Sequence, residues 1–426
     1  MDGRRREGAG SALHPRTLST LVSVAAMVMI STSCASTQEV RAVQPVPAST
    51  TTSAPMATTT TLPSAVPTTL PTPVVPVVGW SRPATILPPA GGFTAASCIS
   101  DVFCMAAGGG ANLADASLST GPGVVSSWDG ATWAPSATYF AAPTTGQTTS
   151  PQVPAIACTG GPRCAVVDGS GHTSLGNGTT WSSPLPLSPA PVVAPDPNDP
   201  GPGHAGSRTA AVACPTTQFC AYADNTGHVA VLQGTSWSTP QTMTAHVGSS
   251  TVELFQTGRV GIGCADSSHC SALVGGTVLD WNGTSWSSSP GPWPVGTSGD
   301  SAVSCPTPGT CLAVRGPSLS VRTPGTGWSI PRVVDGNGGL DALSCPTVNF
   351  CMAVDASGNV IHLAGGTWSA PSKVVPTPVE YAGDGTTISC PTDQFCLVLN
   401  GDGDYATYQG ANPPDIPAAV PGTAPA

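Results

Sequence analysis

The sequence predicts an all-β fold, a seven-bladed β-propeller closed by an N-terminal strand, on three observations. Fourteen of the 15 cysteines form seven Cys-x5-Cys pairs. Seven tryptophans each open a Trp-Ser or Trp-Ala segment with proline close behind. Those two series run out of phase, with Trp80 ahead of the first cysteine pair and no tryptophan after the last. Regular repetition over units of about 40 residues is the mark of a repeat architecture, and radial repetition of four short strands is a propeller.

Each blade reads as four strands. In the sixth unit a short apolar run ends at Cys345, a Pro-Thr turn follows, and a second run begins at Cys351. Asp355 and Gly358 turn the chain into a third run, and Trp368 opens a fourth. Alternating apolar runs of this length bounded by Pro, Gly, Asp and Ser are strand signals. Four of the pairs have the next tryptophan 17 residues beyond the second cysteine, but from Cys396 that offset falls on Pro413. The seventh blade therefore lacks its fourth strand, and the chain has a spare one at its front. Laying residues 79–85 beside residues 405–410 supplies the missing strand and removes an exposed edge. An open β-solenoid, the alternative, gives no reason for the phase offset.

The pairs are Cys98/Cys104, Cys158/Cys164, Cys214/Cys220, Cys264/Cys270, Cys305/Cys311, Cys345/Cys351 and Cys390/Cys396. Five intervening residues set both side chains on one face of a hairpin, within disulfide reach. A link over so short a loop stabilises by about 2 to 2.5 kcal/mol in the chain-entropy model. Zinc pairs are spaced Cys-x2–4-Cys instead, so these cysteines are read as structural and no metal site is assigned to them. Such cysteine usage belongs to an oxidising compartment.

The ends of the chain fit export. Arg4, Arg5, Arg6 and Arg16 precede a short apolar core at residues 21–30, followed by Ser31-Thr32-Ser33-Cys34. Residues 1–33 read as a signal peptide, and the segment resembles a bacterial lipoprotein signal, which implies lipidation of Cys34. Ser31 stands where that family usually has Leu, and cleavage after Ala35 is the competing reading. Residues 34–78, rich in Thr, Pro and Ala, form a tether with a reach on the order of 100 Å. The propeller spans residues 79–411, and 412–426 form a tail without packing residues. Export followed by lipid anchoring on the outer face of the cell membrane is the expected location, with plain secretion as the alternative.

Composition excludes some functions. The net charge is −10, and removal of residues 1–33 leaves 9 basic and 21 acidic residues. A surface this acidic has no electrostatic footprint for nucleic acid. No cofactor is expected, and a monomer is expected.

The repeated Ser-Cys-Pro-Thr…Phe-Cys-x-Ala-Val-Asp…Gly-Asn-Val…Gly-x-x-Trp-Ser resembles repeats of secreted actinobacterial propellers, loosely similar to sialidase-like and Asp-box repeat proteins. The strict Asp-box is absent: Asp168, Asp224 and Asp355 precede Gly171, Gly227 and Gly358, but the tryptophan falls ten residues after the glycine. The resemblance implies the fold and leaves activity open. A sialidase-like glycoside hydrolase or lyase would need three arginines around a carboxylate with a Tyr/Glu pair. The propeller offers Arg82, Arg163, Arg208, Arg259, Arg315, Arg322 and Arg332, but only Glu253 and Glu380 as glutamates. Arg208, Glu253 and Glu380 are retained as candidate binding residues; Glu380 and Tyr381, adjacent on a strand, would point to opposite faces. No catalytic residue is assigned.

Other motifs belong to the repeat. Gly299-Asp300-Ser301-Ala302 resembles a trypsin-like nucleophile segment, yet aligns with Gly339-Leu340-Asp341-Ala342. Asn400, Asp402 and Asp404 alternate like calcium ligands, in the place of the ordinary Asp-x-x-Gly turn. His172 and His228 are read as solvated turn residues, the aspartates as Asx-type turns, and the tryptophans as packing between blades, with some free to stack sugars.

Length variation is confined to one face of the ring. The Cys-x5-Cys and Gly-x-x-Trp turns hardly change, while the crossover from tryptophan to next cysteine runs from 17 to 33 residues. The first blade adds an insertion, residues 108–123. Loops varied on a rigid scaffold carry recognition. The function expected is a non-catalytic binding or scaffold module for envelope polysaccharide or an exported protein, with a plain envelope spacer as a further reading.

Overall fold

A computed structural model describes residues 79–86, 92–109, 123–135, 137–140, 155–161, 163–168, 171–187, 209–254, 256, 258–336, 338–379 and 385–410. Among these every regular element is a β-strand. Arg208, Glu380, Tyr381, Cys34, most of the insertion in the first blade, the signal segment, the tether and the tail lie outside the described residues.

Seven antiparallel sheets stand around one axis. Their inner strands are Phe93–Ser100, Ala155–Thr159, Ala210–Thr216, Gly261–Asp266, Ser301–Thr307, Leu340–Thr347 and Thr386–Thr392. Each lies against the next, and the last lies against the first. The protein is a seven-bladed propeller. Its seventh blade has three strands from the C-terminal end and takes its outer strand from the front of the chain. Gly79–Trp80 pairs with Asp404–Gln409, Trp80 opposite Tyr408, and Ala84–Thr85 continues along the same strand. This is the closure that the phase offset requires.

The outer strands are shorter than the repeat suggests, and proline is the reason. In the third blade Ser236–Trp237 and Gln241–Thr242 pair separately with His228–Gln233, on either side of Pro240. The fifth and sixth blades break in the same way at Pro331 and Pro371, and the closing strand breaks at Pro83. Proline donates no backbone hydrogen bond, so it interrupts the ladder where only an edge strand tolerates it. In the fourth blade proline comes only at position 290, and Trp286–Pro290 runs unbroken.

All seven disulfides are formed, one per blade: Cys98–Cys104, Cys158–Cys164, Cys214–Cys220, Cys264–Cys270, Cys305–Cys311, Cys345–Cys351 and Cys390–Cys396. Their Cα atoms are 3.9 to 4.1 Å apart. Each link spans the hairpin between inner and second strands. In the Cys-Pro-Thr blades the register shifts between the residue before the cysteine and the threonine, where proline again removes a donor.

The second cysteine of each pair does more than link two strands across a turn. Cys104, Cys164, Cys220, Cys270, Cys311, Cys351 and Cys396 are each at most 4 % exposed. They are core residues, not surface sites. Each is the second residue of its blade's second strand, which neighbouring blades cover. Cys104 packs with Trp128 and Phe395, Cys164 with Met105 and Val166, and Cys220 with Tyr222 and Leu232. Cys270 joins Phe219 and Trp281, and Cys311 joins Leu273 and Val303 of its neighbour and its own blade. The sulfurs therefore fill the junctions between blades as well as linking strands within one, a place that suits a small, polarisable, apolar group.

The apolar cores lie between blades, and every junction has one. Ala210, Val212, Tyr222 and Leu232 of the third blade pack on Ala157, Ala165 and Val167 of the second. Seven tryptophans take equivalent places. Trp181 joins the core between the first and second blades, and Trp237 that between the second and third. Trp286, Trp328 and Trp368 serve the next three junctions, and Trp80 and Trp133 those flanking the closed blade. Inter-blade packing of the tryptophans is thus the arrangement found. Of the chain's ten tryptophans Trp128, Trp281 and Trp286 are buried and the other seven are partly exposed, Trp181 on the wall of a surface cavity of about 570 Å³.

Serine adds a second inter-blade link. The backbone N–H of Cys158 donates to Ser97 Oγ of the preceding blade at 2.9 Å, Cys345 to Ser304 at 3.0 Å, Cys390 to Ser344 at 2.9 Å, and Cys98 to Ser389 at 2.9 Å. These are the serines of the Ser-Cys dipeptide. Where the repeat has Ala157, Ala213 or Gly263 instead, no hydroxyl is present to accept.

Candidate functional site

The first ends of the inner strands meet at the axis, on the face that carries the crossovers and the turns between second and third strands. Residues of all seven strands line a cavity of about 180 Å³ there. Its walls are mostly Ala, Val, Ile and Leu, with hydroxyls at Thr94, Thr209, Ser301 and Thr387 and two charges, Arg259 and Asp341.

Asp341 is aimed by a bulge. Leu340 pairs with Asp355 and Ala342 with Val354, so Asp341 is the extra residue in its strand; bulges re-aim side chains in this way. The residue is 9 % exposed, and its Oδ2 accepts from the Thr386 N–H at 2.9 Å. Burial pushes its pKa up; Arg259 pulls it down, and Asp300 and Asp355 add to the rise.

Arg259 is held by its backbone, and among the described residues no hydrogen bond holds its guanidinium. Its N–H donates to Asp300 Oδ1 at 2.6 Å, while its carbonyl accepts from Ser301 N–H at 3.0 Å and from Gln256 Nε2. Gln256 is fully buried, and its Oε1 accepts from Gly275 N–H at 2.7 Å and from Arg315 Nη2 at 2.8 Å. Arg315 also donates to Thr297 O at 2.9 Å and lies 6.0 Å from the Trp293 ring, its guanidinium pKa lowered by burial. Buried polar groups need such partners. This knot fixes where the Arg259 side chain starts. Its guanidinium ends across the axis, with Nη2 2.7 Å from the point a Cβ on Gly385 would occupy. Arg259 belongs to the fourth blade and Gly385 to the seventh, so the side chain bridges the channel.

The turns around this face are built as the sequence predicts. Asp224 Oδ1 accepts from the N–H groups of Thr226 and His228, both at 2.9 Å. Asp355 does the same for Ser357 and Asn359, and Asn400 takes the role in the seventh blade. Of the two histidines only His228 departs from the solvated residue expected. His228 lies 3.2 Å from Asp224 Oδ2 and is largely buried, and His172 lies 3.0 Å from Asp168, partly exposed. Burial raises the Asp224 pKa, but hydrogen bonding and charge from His228, with its N–H and Thr226, bring the net shift below the ordinary value. Asp402 accepts from Val379 N–H at 2.6 Å and Asp404 from the Thr85 hydroxyl at 2.5 Å. Among the described residues no three His, Cys, Asp or Glu gather into a metal site.

Of the candidate binding residues only Glu253 is described. It sits on an exposed hairpin, Thr244–Val247 with Ser250–Glu253, that the repeat pattern does not contain. That hairpin leans on the outer strand of the fourth blade, and Glu253 is not among the channel-lining residues. Arg208 is the chain neighbour of Thr209, which does line the channel. Asp341 and Gln256 escaped the sequence reading. The one was absorbed into a repeat alignment, and the other has no counterpart that would make it stand out.

No family model matches the chain, and no curated protein does. Solved structures do. The WD40 β-propeller domain of Doa1 is 9 % identical with a TM-score of 0.52, over 79 % of this chain and 98 % of that one. U3-55K is 9 % identical with a TM-score of 0.50, over 77 % and 98 %. Virginiamycin B lyase from Staphylococcus aureus is 6 % identical with a TM-score of 0.50, over 78 % and 99 %. At these identities the likeness establishes the propeller fold alone.

Proposed function

We propose that the protein is an exported binding module whose crossover face holds a segment of another exported protein. In this reading Cys34 carries a lipid, residues 34–78 tether the ring, and the propeller is its rigid display. The observation that carries it is the division of labour between faces. Disulfide hairpins of one length make one face, while every long crossover and the mouth of the channel share the other. Rigid scaffolds with variable loops are built for recognition. Seven disulfides fit an oxidising environment and therefore export.

Site-specific photo-crosslinking in cells tests this. Ser298 lies exposed on a crossover, and Gln218 lies exposed in a disulfide hairpin. The expected result is one defined exported protein captured from Ser298 and not from Gln218. Capture from both faces alike, polysaccharide adducts alone, or no adduct would overturn the reading. The anchor has its own test: fatty-acid labelling that disappears in Cys34→Ser.

A further inference from the structure

The channel mouth has features that the crossover loops do not explain. Arg259 carries five N–H donors, yet among the described residues its guanidinium donates no hydrogen bond. It stands half-buried over an aliphatic cavity. A charge drawn out of water without an acceptor is costly unless something supplies one. The Asp341 carboxylate lies beside it: Arg259 Nη2 and Asp341 Oδ2 are both 2.7 Å from the same point above Gly385. The two attract each other without closing into an ion pair. Only Oδ2 of Asp341 is taken, by the Thr386 N–H, and Oδ1 has no hydrogen bond among the described residues.

Gly385 keeps the space between them open. Any side chain there would strike both charged groups, and its φ of +68° is one that glycine adopts at no steric cost. Below lies a cavity of about 180 Å³ with walls of Ala, Val, Ile and Leu. Pockets for drug-sized ligands run from about 300 to 1,000 Å³, so this one takes only a small molecule.

We propose that the channel mouth binds a free α-amino acid with an apolar side chain: Arg259 receives the carboxylate, Asp341 the ammonium group, and the aliphatic wall the side chain. Charge balance selects this class. A simple carboxylate would place a further negative charge beside Asp341 and Asp300, and a simple amine would sit against Arg259. A zwitterion satisfies both groups and adds no net charge. A guanidinium fork suits a carboxylate in particular, because two parallel hydrogen bonds can form. The site shares the crossover face with the proposed function, since Arg259 and Gly385 stand where crossovers enter the inner strands, but its ligand is a small molecule and its test does not depend on a protein partner.

Titration calorimetry on the oxidised, exported full chain tests the proposal with L-leucine as probe. L-leucine is expected to bind saturably. 4-Methylpentanoate, which lacks the amine, and 3-methylbutylamine, which lacks the carboxylate, are each expected to bind at least tenfold more weakly. Glycine, lacking the apolar group, is expected to do the same. Arg259→Met and Asp341→Asn should each weaken leucine at least tenfold with the unfolding midpoint checked in parallel. The proposal is overturned by no saturable heat with leucine, by 4-methylpentanoate or the amine matching leucine, or by full affinity in folded Arg259→Met. The analogue series is run on the unaltered protein, so it decides the matter even where a variant fails to fold.

Discussion

The Oγ of Ser389 accepts a hydrogen bond from the backbone N–H of Cys98 at 2.9 Å, across 291 residues of chain. It joins the last blade to the first at their innermost strands. The outer junction is made independently, by Trp80 opposite Tyr408. The ring is therefore locked at two radii.

Ser389→Ala removes the acceptor and leaves a partly buried N–H without a partner. Such a loss costs about 1–3 kcal/mol. Denaturant unfolding should show a lower midpoint with an unchanged slope, and Ser344→Ala should behave alike, since it accepts from Cys390 in the same way. Equal stability of both variants and the parent would show that the serine links are incidental.

Trp80→Ala tests the outer lock. The indole packs on Tyr408 with ring centroids 5.6 Å apart and joins the core between the sixth and seventh blades. Its removal is expected to cost on the order of 3 kcal/mol. A variant truncated before Ile86 loses both closing segments and should unfold at a lower temperature still. Thermal unfolding followed by near-ultraviolet circular dichroism reads both.

Asp341→Asn has an effect whose size changes with pH. Burial raises the carboxyl above its ordinary 3.8, so the folded state holds the proton more tightly than the unfolded chain. Folding stability then falls as pH rises from the ordinary value through the raised one, and stays lower above it. The asparagine variant is expected to be the more stable of the two at neutral pH, with the advantage gone below about pH 4. An advantage constant across pH would contradict the assignment.

The Asp224–His228 pair runs the other way. A carboxyl lowered below 3.8 contributes stability that is complete above the unfolded value and is lost as pH falls through the folded one. His228→Ala should cost about 1–2 kcal/mol near neutrality. His228→Asn should retain most of the stability, because Asn359 already makes the equivalent bond to Asp355 at 2.7 Å. Asp224→Asn should flatten the loss of stability on acidification. Unfolding curves recorded from neutral pH down through and below the ordinary carboxyl value distinguish these outcomes.

Blade number, ring closure and disulfide pairing were legible because each is a periodic property of the chain. Cysteine spacing counts blades, and the position of Trp80 relative to Cys98 betrays the missing strand. The burial of Cys104, Cys164, Cys220, Cys270, Cys311, Cys351 and Cys396 between blades was not, because spacing along one hairpin says nothing of the blade beside it. The serine links were hidden for the same reason, although the Ser-Cys dipeptide recurs: no local rule connects Ser97 with Cys158. The hairpin that carries Glu253 had a signal in Gly248-Ser249, a two-residue turn between alternating residues, masked by the stronger rhythm of the repeat. Asp341 was hidden more deeply. Its register in the alignment matched ordinary repeat material, and only the bulge turns it to the axis. What sits at the centre of a ring depends on seven strands together, and a linear sequence does not set them side by side.

The prolines that split the outer strands also govern how copies of this protein meet one another. An unbroken edge is a template on which a second chain can grow its own ladder, and a ring has seven such edges. Here the edge is cut into pairs of residues on either side of Pro83, Pro240, Pro331 and Pro371. At these four blades a neighbour approaching from the side finds too few consecutive donors and acceptors to zip onto, and the unbroken Trp286–Pro290 of the fourth blade has the Thr244–Val247 hairpin leaning on it.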